Sequence, residues 1–94
     1  MRKYEIMYIL RANLEDEKRN VLIGKLHDVL AVDGTIESIN EWGIRDLAYE
    51  IDDEKKGYYV VVTITTDSVN GINEFDRVAK YDKKVLRHGI FRVE

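Results

Sequence analysis

The sequence predicts an α+β fold in which four antiparallel strands form one sheet and two helices pack on one face of it. Four segments alternate in polarity with a period of two, and two others repeat apolar residues at helical spacing. The order is strand, helix, strand, strand, helix, strand, which is the split βαβ or ferredoxin-like arrangement. A chain of 94 residues is long enough for one domain. We therefore expect a single ferredoxin-like domain over residues 1–94.

The first strand and first helix open the chain. The strand is apolar on both faces, and more strongly on the face formed by Tyr4, Ile6, Tyr8 and Leu10. Asn13 is expected to cap the helix. The helix should present one apolar face and end before Gly34 as its C′ residue, and that face comprises Leu22, Leu26, Val29 and Leu30.

The alternation of polar and apolar residues in the middle of the chain predicts a long strand followed by a hairpin. In GTIESINEWGIRDLAYEI the alternation slips between Ile36 and Ile39 and changes again around Gly43, which indicates a bulge or bend there. DDEKKG is predicted to be a loop in which Gly57 takes a positive φ. GYYVVVTITT then forms the third strand.

A second helix and a last strand complete the pattern. Asp67 or Ser68 is expected to begin the helix. Its apolar face comprises Ile72, Phe75, Val78 and Ala79. The last strand is VLRHGIFRV.

The stretch KKGYYVVV raises the question of a base-stacking platform like that of RNA-recognition motifs. Such a platform would need aromatic residues at Tyr58 and Val60 on the open face of the sheet. These two positions share a wholly apolar face with Val62 and Ile64, so we predict that they face the helices. The stacking interpretation is therefore disfavoured.

The sequence offers little for catalysis or cofactors. It has no cysteine, and its two histidines, His27 and His88, are not at metal-ligand spacing. No glycine-rich loop surrounds Arg11, as an acylphosphatase-like anion site would require. We expect no enzyme, no metal site and no cofactor. The amino terminus lacks a signal-peptide pattern, and no apolar stretch is long enough to cross a membrane.

Charge is distributed unevenly along the chain. The net charge is −3, yet the segment from Arg77 to Val93 carries six basic residues and one acidic residue. In this fold the first and last strands can be neighbours, so a row of cations could lie along one edge and contact RNA phosphates: Arg2, Lys3, Arg87 and Arg92. The alternative is edge charge that prevents aggregation between sheets.

Four segments of the sequence resemble the family of the sixth protein of the bacterial small ribosomal subunit. They are RKYEIMYIL, EWGIRDLAYEI, KKGYYVVV and YDKKVLRHGIFR, in the same order and at the same spacing. The resemblance covers essentially the whole chain, and the part from Gly43 to Tyr49 is the most specific.

The resemblance implies a cytoplasmic, structural protein of the ribosome, monomeric when free. It would bind the central domain of small-subunit ribosomal RNA as a heterodimer with the eighteenth small-subunit protein. By position, RNA-binding residues would be Arg2, Tyr4, Arg45 and Arg87, joined by Lys3 and Arg92 of the cationic row. The partner would cover part of the open sheet face near Glu41, Trp42, Tyr59 and Val61.

The sequence departs from the family pattern in two places. Many family members carry a longer, often acidic C-terminal tail, and Asp46 stands where some relatives have a basic residue.

Two other function classes compete with the ribosomal interpretation. One competing class is a small-molecule-sensing module that dimerises through sheet edges and gains thermal stability from its ligand. The other is a small enzyme with a polar cleft around a perturbed carboxylate or histidine.

Overall fold

The computed structural model describes residues 2–93 and confirms the predicted fold. Four antiparallel strands form one sheet in the order β2-β3-β1-β4. The elements are β1 (Arg2–Arg11), α1 (Asp16–Ala31), β2 (Gly34–Ile51), β3 (Glu54–Thr66), α2 (Asn70–Tyr81) and β4 (Val85–Arg92). The central strand β1 pairs along its whole length with residues 57–66 of β3, while β2 and β4 form the two edges.

The hydrophobic core lies between the helices and one face of the sheet. Alternate residues of β1 and β3 point into it, as expected for strands with one covered face. Leu26 of α1 and Phe75 of α2 form part of the helix side of this core and are fully buried. We call this side of the sheet the covered face; its buried sheet residues are Tyr4, Ile6, Tyr8, Leu10, Val60, Val62 and Ile64.

One polar pair is buried within this core. The Tyr8 hydroxyl and His27 Nε2 are hydrogen-bonded at 2.8 Å. Burial lowers the pKa of His27, although the nearby carboxylates of Glu41 and Asp28 act in the opposite direction. Burial likewise raises the pKa of Tyr8. The pair is therefore held neutral, and each side chain satisfies the other's hydrogen-bonding group.

The base-stacking platform considered at Tyr58 and Val60 is absent, as predicted. Val60 is fully buried on the covered face, and Tyr58 packs against the same core. The Tyr58 hydroxyl donates to Glu41 Oε1 at 2.7 Å, and the Arg19 guanidinium lies 4.3 Å from the centre of the Tyr58 ring. Tyr58 thus contacts partners from α1 and β2 on the covered side of the sheet and is not part of an open-face stacking surface.

Both predicted irregularities of β2 are confirmed. The register with β3 shifts between Ile36 and Ser38 and again between Glu41 and Gly43. Gly43 has a φ of +82°, which a residue with a side chain adopts only at a cost. The second bulge places Trp42 on the face opposite the helices, where it stacks on Tyr59.

The predicted hairpin loop was wrong in its extent. Asp52 and Asp53 form a two-residue turn with φ values of 49° and 66°, and β3 already begins at Glu54. Gly57 therefore lies within the strand and not at a positive φ. A Cβ atom at Gly57 would lie 2.3 Å from Ile9 Cγ2, so glycine is required by close packing.

The predicted helix boundaries were also displaced. Helix α1 begins at Asp16 instead of after Asn13, and its acidic first turn interacts favourably with the helix dipole. Gly34 is the first residue of β2 and not a helix C′ residue. Helix α2 begins at Asn70, later than Asp67 or Ser68, because Thr66 and Ser68 hold a turn before it.

Candidate nucleic-acid interface

The sheet face opposite the helices is the candidate interface. We call it the open face. The strand register places apolar and aromatic side chains from all four strands on it, together with two arginines. They are Met7 and Ile9 of β1, Trp42, Arg45, Leu47 and Tyr49 of β2, Tyr59 and Val61 of β3, and Arg87 and Phe91 of β4.

Trp42, Tyr59 and Arg45 form a stack at the β2 edge of the open face. The rings of Trp42 and Tyr59 are nearly parallel, at 12°, with their centres 6.2 Å apart. The Arg45 guanidinium lies 5.3 Å from the centre of the Trp42 ring, within the range of a cation–π contact. Trp42 nevertheless remains 48% exposed. The stack is therefore an ordered aromatic platform that this chain leaves uncovered.

Arg87 is held in place by Tyr49 across the sheet. Its Nη1 donates to the Tyr49 hydroxyl at 2.5 Å, and its guanidinium lies 5.6 Å from the centre of the same ring. This hydrogen bond raises the pKa of Arg87 above its ordinary value. Because the tip of β2 and strand β4 are far apart in sequence, the contact depends on the whole sheet. The contact fixes the position of the guanidinium, which is charged at any physiological pH, on the open face.

Arg87 also separates two shallow hollows of the open face. One, of about 80 Å³, lies towards the tip of β2 and is lined by Leu47 and Tyr49 among others. The second, of about 120 Å³, lies along β4 and is bounded by Met7 and Phe91. Both hollows are mostly apolar, and both contain Ile9 and Arg87. Arg87 is therefore the one arginine or lysine that lines these two apolar hollows.

The predicted row of cations lies along the neighbouring strands β1 and β4, but its arginines divide between the two ends and the two faces of the sheet. Strands β1 and β4 are neighbours, but Arg92 lies opposite Tyr4 and Arg87 lies opposite Ile9. The two arginines are thus about 17 Å apart along β4 at the usual strand rise. Arg2 lies at the same end of the sheet as Arg92, since it precedes Tyr4 by two residues.

Lys3 and Tyr4 are less available for contacts with RNA than the sequence predicted. Lys3 Nζ lies 3.6 Å from a carboxylate oxygen of Glu37, so much of its charge is compensated. The Tyr4 side chain is only 8% exposed and belongs to the core. Of the six predicted RNA-binding residues, the structure leaves four side chains exposed: Arg2, Arg45, Arg87 and Arg92.

Three of the four predicted partner-binding residues lie together. Trp42, Tyr59 and Val61 are on the open face, where Tyr59 opposes Ile9 and Val61 opposes Met7. Glu41 lies on the covered side of β2, because it pairs with Val60 and bonds to Tyr58. The backbone bulge that turns Trp42 outward separates it from Glu41.

Sequence reasoning did not single out Tyr49 or Phe91 for the site. Tyr49 is 61% exposed and Phe91 is 53% exposed, and both lie on the open face. The signal was present in the alternation of β2 after Gly43, where Arg45, Leu47 and Tyr49 share one face. The pairing of Tyr49 with Arg87 needed the sheet register.

The groups considered for catalysis have structural partners. His88 Nε2 is hydrogen-bonded to Asp76 at 2.7 Å. Arg11 donates to the backbone oxygen of Lys83 at 2.7 Å and forms ion pairs with Asp52 and Glu54. Within residues 2–93, no three His, Cys, Asp or Glu side chains are grouped as metal ligands would be. In the same part of the chain, no helix combines the length and apolar character needed to span a membrane.

Known proteins resemble this chain over nearly its full length. The family model described as Ribosomal protein S6 matches residues 3–92. The small ribosomal subunit protein bS6 of Alkaliphilus oremlandii is 46% identical, and the alignment covers 100% of this chain and 99% of the relative. The corresponding protein of Alkaliphilus metalliredigens is 44% identical over the same shares of the two chains.

A solved structure gives the same result for the fold. The crystal structure of 30S ribosomal protein S6 from Thermotoga maritima superimposes with a TM-score of 0.90 at 28% identity, covering 97% of this chain and 86% of that one. Sequence and structure therefore agree that this chain belongs to the ribosomal protein S6 family, whose members are non-enzymatic components of the small subunit of the cytoplasmic ribosome.

Proposed function

We propose that this protein binds the central domain of small-subunit ribosomal RNA cooperatively with the eighteenth small-subunit protein. The partner protein covers the aromatic platform of Trp42 and Tyr59, and Arg87 contacts an RNA phosphate beside it. The observation that carries the proposal is the open face itself, which combines ordered, exposed aromatic rings with two positioned arginines.

The exposed aromatic surface supports a protein partner. Trp42, Tyr49 and Phe91 are each about half exposed or more, on a face that the helices do not reach. Contiguous apolar surface of this kind mainly occurs at interaction sites, and aromatic residues are enriched in protein interfaces. Its rings are already stacked, so the partner would immobilise few additional side chains on binding.

Arg87 supports an RNA contact at the border of this surface. Its guanidinium can donate two parallel hydrogen bonds to a phosphate, and the Tyr49 contact orients it beforehand. Arg45 lies over Trp42 at the opposite side of the open face. Arg2 and Arg92 add positive charge at the far end of the sheet. Arg45 and Arg87 are thus the two exposed arginines on the face that the partner would cover, because Arg2 and Arg92 share the covered-face parity of Tyr4.

The overall charge explains why the partner is needed. With a net charge of −3, the protein gains little long-range attraction to RNA. Each neutralised phosphate contributes a slope of roughly 0.7–0.9 in the dependence of log affinity on log salt. A few such contacts give weak binding alone. A partner that contacts both the open face and the RNA raises the affinity, and the RNA strengthens the protein–protein contact by the same factor.

A gel shift with a central-domain RNA fragment, with and without the partner protein, tests the proposal. We expect Arg87→Glu to weaken the ternary complex at least about tenfold, because it replaces a phosphate contact with a repulsive charge. Lys18→Glu is the matched control. It makes the same charge change on α1, where Lys18 is 69% exposed and lies outside the open face. Equal losses for the two variants would refute the proposal.

A further inference from the structure

The helix layer contains a second cationic surface that the open face does not explain. A hollow of about 600 Å³ lies between α1, α2 and the segment that connects α2 to β4. We call it the helix groove. It is lined by Lys25, Arg77, Val78, Tyr81, Asp82, Lys83 and Lys84.

The helix groove is positive although the whole protein is negative. Four of its lining residues are cationic and only Asp82 is acidic, although Arg77 is paired with Glu74, which lies outside the lining. Asp82 is already engaged, since it accepts a hydrogen bond from the backbone N–H of Lys84 at 2.9 Å and lies 3.7 Å from Lys84 Nζ. Among the described residues 2–93, Lys25 and Lys83 form no ion pair within 4 Å. These two lysines therefore leave uncompensated charge in the groove, Lys25 from α1 and Lys83 from the segment after α2.

This charge is local and not a general property of the helices. A neighbouring hollow of about 520 Å³ shares Lys25, Asp82 and Lys84 with the groove but adds Lys18 together with Glu15 and Glu17. Its cations and acids are equal in number. Lys18 Nζ lies 3.9 Å from Glu15. Cationic excess thus begins where α1 approaches the end of α2.

An aromatic ring accompanies the cations. Tyr81 lines the groove and is 75% exposed, and Lys80 Nζ lies 5.8 Å from its ring centre. Lysines around an exposed ring suit a nucleic-acid strand, because the phosphates meet the cations while a base stacks on the ring. An acidic protein segment would pair with the lysines, but it has no base that stacks on the Tyr81 ring.

We propose that the helix groove binds the phosphate backbone of a second segment of small-subunit ribosomal RNA. The groove lies on the helix side of the sheet. The protein would therefore contact one RNA segment on each of its two sides and connect them. RNA is the occupant of choice because members of this family are components of the ribosomal small subunit. The inference is independent of the proposed contacts on the open face.

Salt-dependent binding tests the helix groove directly. Filter binding of full-length small-subunit ribosomal RNA, in the presence of the partner protein, is measured over a series of KCl concentrations for Lys25→Glu, Lys83→Glu and Lys18→Glu. For each groove variant we expect at least about a fivefold loss of affinity and a salt slope smaller by about 0.7–0.9. Lys18→Glu should stay within about twofold, and equal melting temperatures confirm folding.

Two outcomes would overturn the proposal. One is that Lys25→Glu and Lys18→Glu bind the RNA equally well. The other is that both groove variants bind RNA normally but enter subunits poorly when all small-subunit proteins are present, which would assign the groove to a protein. If Arg87→Glu has no effect while the groove variants lose affinity, the open-face proposal fails and the helix groove stands.

A tethered probe gives an independent readout. The sequence has no cysteine, so Val21→Cys provides a single site for an iron chelate that cleaves nearby RNA backbone. Val21 is 69% exposed, lies one helical turn before Lys25 and does not line the groove. We expect cleavage of the ribosomal RNA from position 21 in the assembled complex, at nucleotides distinct from those cleaved from Phe91→Cys on the open face. Absence of cleavage from position 21 in a complex that forms normally would contradict the proposal.

Discussion

The two faces of strand β3 show how one segment serves two purposes. Tyr58, Val60, Val62 and Ile64 point to the helices, while Tyr59, Val61, Thr63 and Thr65 point to the open face. The first set includes three almost fully buried aliphatic side chains in the core. The second set continues into the stacked rings of Tyr59 and Trp42. Alternate residues of the same strand thus separate stability from recognition.

The comparison explains why the apolar open face does not destabilise the protein. The covered face closes a core of aromatic and aliphatic residues from both helices and both central strands. That burial can hold the sheet in place while the open face stays uncovered. Apolar side chains on the open face are therefore free to be selected for binding.

The largest expected effect is a difference in the free energy of unfolding between substitutions at the two phenylalanines of the chain. Phe75→Ala on the covered side should reduce the free energy of unfolding by about 3–5 kcal/mol, because Phe75 is fully buried. Phe91→Ala on the open face should cost less than about 1 kcal/mol, since Phe91 is 53% exposed. Urea unfolding of both variants measures this difference. Similar costs at the two positions would break the division between the faces.

A smaller effect on the free energy of unfolding is expected at Gly57, where β1 and β3 pack tightly on the open face. Gly57→Ala should reduce the free energy of unfolding by about 1–3 kcal/mol, because its Cβ would overlap Ile9 between β1 and β3. Gly24→Ala, in helix α1, is the control: nothing lies within 4 Å of the added Cβ, and the substitution should stabilise by up to about 1 kcal/mol. Thermal or urea unfolding compares them. A neutral Gly57→Ala would contradict the packing described for this strand.

The smallest effect concerns the pH dependence of the covered face. The folded pKa of His27 is lowered by burial, so the unfolded chain binds a proton more readily below about pH 6.5. Stability should therefore fall as the pH decreases through that region. In His27→Gln the fall between pH 7 and pH 5 should be smaller. Melting temperatures over this range measure it, and unchanged pH dependence in the variant would exclude His27 as the responsible group.

Local sequence patterns predicted the elements and the facing of their residues. The uniform apolar face of Tyr58, Val60, Val62 and Ile64 was sufficient to place Tyr58 towards the helices and to exclude a stacking platform. The broken alternation of β2 located both bulges. These features depend on residues close in sequence, so they could be predicted.

The remaining features depend on contacts between distant segments. Gly57 looked like a turn residue, but it is required by Ile9 on a neighbouring strand. Tyr49 and Arg87 meet only because β2 extends beyond the bulge at Gly43. The separation of Arg87 from Arg92 follows from the register of β4 on β1. No local pattern carries that information.

The central claim, that the open face recognises the partner, can be tested at one residue. Trp42 is the only tryptophan of the chain, so 5-fluorotryptophan labelling gives a single ¹⁹F resonance from the aromatic platform. When the eighteenth small-subunit protein and the RNA fragment are added, we expect this resonance to shift and its solvent exposure to fall. An unchanged resonance in a complex that has demonstrably formed would contradict the account.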